Sequence, residues 1–155
     1  MNPQALESAR EFCLGLLRVL GESGRVEATP EGEGVYVDMR GGFRHLPAGD
    51  AATRTALSRL ARLHLKSHHG LDVPVLVDIN GEVFAHRERL AKEVRDTASQ
   101  VVAEGRRIEL APMSPDDRRV VHMALAGMPG IRTVSVGREQ NRRVVIEPVL
   151  TEQRG

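Results

Sequence analysis

Between Asn2 and Leu20 the apolar positions Leu6, Ala9, Cys13, Leu16, Leu17 and Leu20 recur at spacings of three and four. That period predicts an amphipathic helix, with Pro3 in its first turn and Gly21 just past its end. Residues 25–29 and 35–39 then read as two short strands, and the intervening Pro30-Glu-Gly-Glu-Gly34 favours a hairpin. Asp50 is placed to cap a helix running to about Lys66, with Ala56, Leu57, Leu60, Ala61 and His64 as its apolar side. Arg59, Arg62 and Lys66 fall within about 60° of one another on the opposite side. Residues 73–79 form the clearest strand, and Pro74 suits a sheet edge. A long helix is expected over 83–103, with Phe84, Arg87, Leu90, Ala91, Val94, Ala98, Val101 and Val102 on one stripe. A short strand at 106–110, a helix at 114–126 and an antiparallel pair at 131–136 and 142–147 complete the chain. The order αββαβ followed by αβαββ predicts an α+β protein of two small modules, 1–80 and 81–155, each sheet covered on one face by helices. No flexible linker separates them near residue 80.

Composition narrows the function classes. The chain has 155 residues, 41% hydrophobic and 28% charged, enough to bury a core. No stretch approaches the roughly 18 uninterrupted apolar residues a bilayer needs, and the start lacks the pattern of a secretory signal, so a cytoplasmic protein is expected. Cys13 is the single cysteine, which excludes an internal disulfide and a thiolate zinc cluster. Four of the six histidines (His45, His64, His68 and His69) lie near one another, but without acidic or thiol neighbours at ligand spacing; no metal and no cofactor are expected.

The formal charge of +1 hides an uneven distribution. Residues 1–39 carry three arginines against seven acids, whereas Arg40, Arg44, Arg54, Arg59, Arg62 and Lys66 face a single acid, Asp50, between Arg40 and His69. A local basic surface of this kind suits a polyanion. With only Phe12, Tyr36, Phe43 and Phe84 as aromatics, stacking of successive bases on rings is poorly supplied, and contact with the backbone is the better-supplied mode.

The most informative segment is Ser114-Pro-Asp-Asp-Arg-Arg-Val-Val-His-Met-Ala-Leu125. Ser114 fits an N-cap, Pro115 the first helical position and Asp117 the third, which sets the helical register. Val120, Val121, Ala124 and Leu125 then face the core, Arg118 and His122 lie one turn apart along the margin, and Arg119 points to solvent. A guanidinium beside an imidazole offers several donors to one oxyanion, as a phosphate requires. Such pairs also occur on ordinary helix surfaces. An enzyme is not expected: there is no nucleophile–base motif, no Gly-rich phosphate loop after a strand and no carboxylate set at metal spacing.

The segment PMSPDDRRVVHMAL resembles the R-three-H module, named for an Arg, three residues and a His, with Arg118 and His122 at the two defining positions. Upstream, VPVLVDINGE followed by a helix containing HRERLAKEV resembles the junction between the KH and R-three-H domains of the bacterial Jag (KhpB) family of RNA-binding proteins. The likeness extends over residues 5–147 and implies a type II KH-like domain followed by an R-three-H domain, without the N-terminal Jag domain that members commonly carry. The Gly-x-x-Gly loop between helices that clamps the strand in KH domains aligns with Ala48-Gly49-Asp50-Ala51, which keeps one glycine and adds an acid.

The resemblance implies single-stranded RNA as partner, with single-stranded DNA as a second candidate, bound mainly through phosphates. Arg118 and His122 would hold the backbone and Arg119, Arg142 and Arg143 would add attraction. In the KH-like module Arg44, Gly49 and Arg54 would flank the loop and Arg59, Arg62 and Lys66 would guide the strand. A phosphate contact by His122 would make binding tighten modestly as the pH falls through about 6.5. The alternative is a protein-interaction adaptor whose KH-like domain has lost RNA binding, since the family is linked to membrane-protein insertion and cell-elongation control.

Overall fold

A computed structural model describes residues 2–150, and the chain divides after Phe84 into two compact units. The first begins with α1 (Pro3–Val19), whose N-cap Asn2 accepts from the Gln4 amide at 2.9 Å. It continues through β1 (Arg25–Glu31), β2 (Gly34–Arg40), α2 (Ala51–His69) and β3 (Val75–Ile79). The sheet runs in the order β1-β2-β3: β1 and β2 pair antiparallel, with Val26 opposite Met39, while β2 and β3 are parallel, with Val37 opposite Val77. A parallel pair needs a crossover, and α2 supplies it. Ala9, Cys13 and Leu17 of α1 share one core with Val35, Val37, Met39, Val77 and Ile79 of the sheet and Leu57, Ala61 and Leu65 of α2. Cys13 is enclosed there, and burial pushes its thiol up to about 12, so it acts as a small apolar group. Ser58 ties α2 to β3, its hydroxyl accepting from the Val77 amide at 2.9 Å and donating to the Arg54 carbonyl at 2.8 Å.

Two details depart from the sequence reading. The buried stripe of α2 is Leu57, Ala61 and Leu65, while Leu60 and Leu63 are 48% and 61% exposed. The helix runs to His69, where Gly70 at φ +66° closes it, and Leu65 completes the stripe that meets the sheet. The loop at 48–51 does not lie between two helices. Residues 41–50 are irregular, and Asp50 ends them as the α2 N-cap, accepting from the Ala52 amide at 3.3 Å and from the Thr53 hydroxyl at 2.9 Å.

The irregular segment is held by a carboxylate. Glu22, in the turn after α1, accepts from the amides of Arg44 (3.0 and 3.1 Å) and His45. The His45 amide above all holds its carboxyl below the usual carboxylate range, against the opposing effect of burial. Glu22→Ala is expected to free this segment, with amide exchange at 44–46 accelerating about tenfold. Hydrogen exchange read by mass spectrometry tests it, and unchanged protection there would refute the hook.

Asp78 is buried on the sheet face opposite the Val77 side chain. Its carboxylate accepts from the Tyr36 hydroxyl at 2.6 Å and from the amides of Val83 (2.9 Å) and Phe84 (3.0 Å), the first turn of α3 (Glu82–Glu104). Helix N-termini carry unpaired N–H groups, and this anion satisfies two of them.

The second unit contains β4 (Ile108–Glu109), α4 (Pro115–Leu125), β5 (Ile131–Val136), a 3₁₀ turn (Glu139–Asn141) and β6 (Arg143–Pro148). Its sheet is antiparallel in the order β4-β6-β5, with Thr133 opposite Ile146 and Val136 opposite Arg143. Val94, Ala98 and Val101 of α3 and Val121 and Leu125 of α4 pack with Ile131, Val144 and Ile146. The fold class is α+β, with small sheets and, among the described residues, four α-helices.

Candidate nucleic-acid interface

Local rules fix the start of α4. The Ser114 hydroxyl accepts from the Asp117 amide at 3.2 Å, Pro115 occupies the first turn, and Asp116 and Asp117 lie at the positive end of the helix. Asp117 also receives His86 of α3 at 2.9 Å. With Val121 and Leu125 turned inward, Arg118 and His122 fall half-buried on the margin of the helix.

Arg118 donates through Nη1 to the Met113 carbonyl at 2.8 Å, a bond that fixes the guanidinium against the chain entering α4. It has no ion pair among the described residues, so its remaining N–H groups stay free to donate. The guanidinium lines an open cleft with Met113, Ser114, Glu139, Gln140 and Arg142. Arg142 donates to the Gly137 carbonyl at 2.9 Å and likewise has no carboxylate partner among the described residues. Gly137 at φ +89° permits the turn that brings Arg142 there; a Cβ on it would lie 2.6 Å from the Asn141 carbonyl oxygen. The structure therefore gathers two cations, from α4 and from the β5–β6 connection, around one opening whose single acidic lining residue is Glu139.

His122 is engaged on both sides. Its Nδ1 lies 2.6 Å from the Thr133 hydroxyl and its Nε2 2.8 Å from the Ser135 hydroxyl, so its ring does not present a free N–H outward. The sequence reading overlooked both hydroxyls and the Met113 carbonyl. The signal was the alternation along β5, where Ile131, Thr133 and Ser135 share the face turned to α4.

The other candidate residues are placed differently. Arg119 is exposed and unpaired among the described residues. Cross-strand partners share a face, so Arg143, opposite Val136, lies on the face away from Thr133 and Ser135. There it meets Glu109 at 3.5 Å, while Arg107 holds the same carboxylate at 2.7 Å. Arg142 and Arg143, both expected to add attraction, therefore point opposite ways where the strand begins.

In the first unit, Arg62 and Lys66 converge on one acid, Asp72, at 2.9 and 3.1 Å, and their two hydrogen bonds hold its carboxyl below the usual range. Asp72 lies past His69, outside the basic stretch that the two cations belong to. Arg59 and Arg44 have exposed side chains without ion pairs among the described residues. Arg54 is half-buried, its Nη1 enclosed without a hydrogen-bond partner. Gly49 is exposed, and a Cβ there would meet nothing within 4 Å. His64 stacks on Phe12 and His68 with ring centroids 4.8 and 4.3 Å apart, and burial followed by the neighbouring imidazoles lowers its pKa. The described residues contain no group of three or more potential metal ligands.

Comparison with known proteins places these elements in context. The chain is 33% identical over 94 residues to the RNA-binding protein KhpB of Lactiplantibacillus plantarum, covering 61% of this chain and 29% of that protein. It is 32% identical over 92 residues to the RNA-binding protein KhpB of Streptococcus pneumoniae, covering 59% and 28%. The RNA-binding protein KhpB of Bacillus subtilis is 32% identical over 96 residues, covering 61% and 46%. The chain thus matches less than half the length of each of these relatives. Residues 86–148, which carry Arg118, His122, Arg142 and the whole β4-β6-β5 sheet, match the R-three-H domain.

Proposed function

We propose that this protein binds single-stranded RNA, chiefly through phosphates, at the cleft of the second unit. The observation that carries this reading is the pair of guanidinium groups, Arg118 and Arg142, which share one opening and have no carboxylate partner among the described residues. Each is anchored by one bond to a backbone carbonyl, which pre-orients the remaining donors toward an oxyanion. Arg119 adds long-range attraction, and the names of the similar proteins agree with RNA as ligand. The first unit serves as an accessory KH-like module, with Arg44 and Arg59 as its available cations. The protein works in the cytoplasm as a binding protein without catalytic activity; no helix among the described residues is long and apolar enough to cross a membrane.

Salt dependence tests the mode of contact. For a single strand, log affinity should fall with log salt by about 0.7 per phosphate contact, and Arg118→Ala should reduce that slope by about 0.7. A folded Arg118→Ala variant with an unchanged slope would remove this cleft as the site.

A second reading, a protein adaptor, draws support from the first unit alone, where Asp72 engages both Arg62 and Lys66 and offsets one of their two charges. Capture of partners before and after ribonuclease treatment separates the two. Partners that vanish favour RNA, and partners that persist favour the adaptor.

A further inference from the structure

The imidazole of His122 bridges two hydroxyls, Thr133 Oγ1 at 2.6 Å and Ser135 Oγ at 2.8 Å. Thr133 and Ser135 sit two residues apart on β5 and share a face, and all three side chains are only half-buried. None of the three lines the cleft at Arg118, but His122 follows Arg118 by one turn on the same margin of α4, so a strand of several nucleotides held at the cleft can run past the bridge.

A neutral imidazole has one N–H and one bare nitrogen, whereas a hydroxyl has one hydrogen and two lone pairs. One of the two hydroxyls must therefore give its only hydrogen to the ring, and it shows only lone pairs to the outside. The other accepts from the ring and keeps its hydrogen for an outside acceptor. The same division holds for either tautomer, with the two hydroxyls exchanging roles. The pair thus offers one donor and one acceptor. A phosphate oxygen can use only the donor, and the 2′-carbon of deoxyribose can use neither. A ribose 2′-hydroxyl, which both donates and accepts, matches the pair.

We propose that Thr133 and Ser135, polarised by His122, form a ribose-recognition site that selects RNA over DNA for the strand held at Arg118. His122 is then a positioning residue that touches no ligand. This rests on the reading of the cleft as a strand-binding site, and the two can fail separately.

The test uses the full chain and fluorescently labelled 12-mers of adenine and cytosine only, so that RNA and DNA differ solely at the 2′ position. Wild type should bind the RNA about fivefold more tightly than the DNA, the worth of roughly one net hydrogen bond. A 2′-O-methyl strand, which keeps the acceptor but loses the donor, should keep only part of the preference. The Thr133→Val, Ser135→Ala double variant should bring the RNA-to-DNA ratio to about one by weakening the RNA, and Ser135→Thr, which retains a hydroxyl, should preserve the preference. A merely structural role would weaken both strands together. Equal binding of the two strands by wild type, or a preference surviving in the folded double variant, overturns this inference alone. Binding of neither strand overturns the reading of the cleft and this inference with it. Should the double variant fail to fold, the three strands on wild type decide the matter.

Discussion

Asp78→Ala is expected to destabilise the first unit by about 3 kcal/mol, because it leaves three partly buried donors without their acceptor. Burial, the largest single influence on Asp78, pushes its carboxyl up, but the Tyr36 hydroxyl and the amides of Val83, Phe84 and Ile79 together outweigh it and hold the carboxyl below the usual range. A carboxylate lowered in the folded state contributes stability above its unfolded pKa of about 3.9 and loses it as the pH falls through the folded value. Acid should therefore weaken wild type at the low-pH end of its stability profile more than it weakens the alanine variant. Asp78→Asn retains one acceptor oxygen and should be milder. Tyr36 is the sole tyrosine and the chain has no tryptophan, so tyrosine emission reads this bond directly during urea unfolding. Burial, followed by the bond to Asp78, raises the Tyr36 phenol, and the alanine variant should return it toward its ordinary value. A loss of stability below about 0.5 kcal/mol, within the range of ordinary surface substitutions, would show that Asp78 is not the anchor described.

Arg118→Ala with Arg142→Ala should weaken RNA binding by roughly a hundredfold at low ionic strength. Two charge-assisted contacts of about 1.5 kcal/mol each multiply to that factor. Both guanidinium groups lie outside the packed cluster of the second unit, so its fold should persist. Fluorescence anisotropy against a labelled single strand, with circular dichroism to confirm folding, makes the measurement. Arg143→Ala is the control: its side chain lies on the other face of the sheet and should leave affinity within about twofold, the residual long-range effect of one screened charge. A double variant binding as tightly as wild type would place the strand elsewhere.

The elements were legible because their signals are local. Ser114-Pro115 and Asp50 announce helix starts, and the Pro- and Gly-rich stretch at 30–34 the first hairpin. The register of α4 followed from its cap, and with it the placement of Arg118 and His122 on one margin. What escaped depends on partners distant in sequence. His122 is bound by hydroxyls 11 and 13 residues onward, Glu22 by amides 22 and 23 residues away, and Asp78 by Tyr36 across 42 residues. No periodicity encodes such pairings, since each is set by which strands become neighbours. The stripe of α2 was misjudged for a related reason: helical spacing locates a face, but only the sheet decides which of two adjacent leucines lies against it.

Asp72 gives the first unit a lever over the charge that its second helix displays. One carboxylate in the segment between α2 and β3 engages two cations of the helix and offsets one of their two positive charges. A neutral residue at that position would unmask both at once, adding attraction without introducing a single new base. The charge of this surface is thus set in part by a residue that is not itself basic, and the cations would look identical in either case.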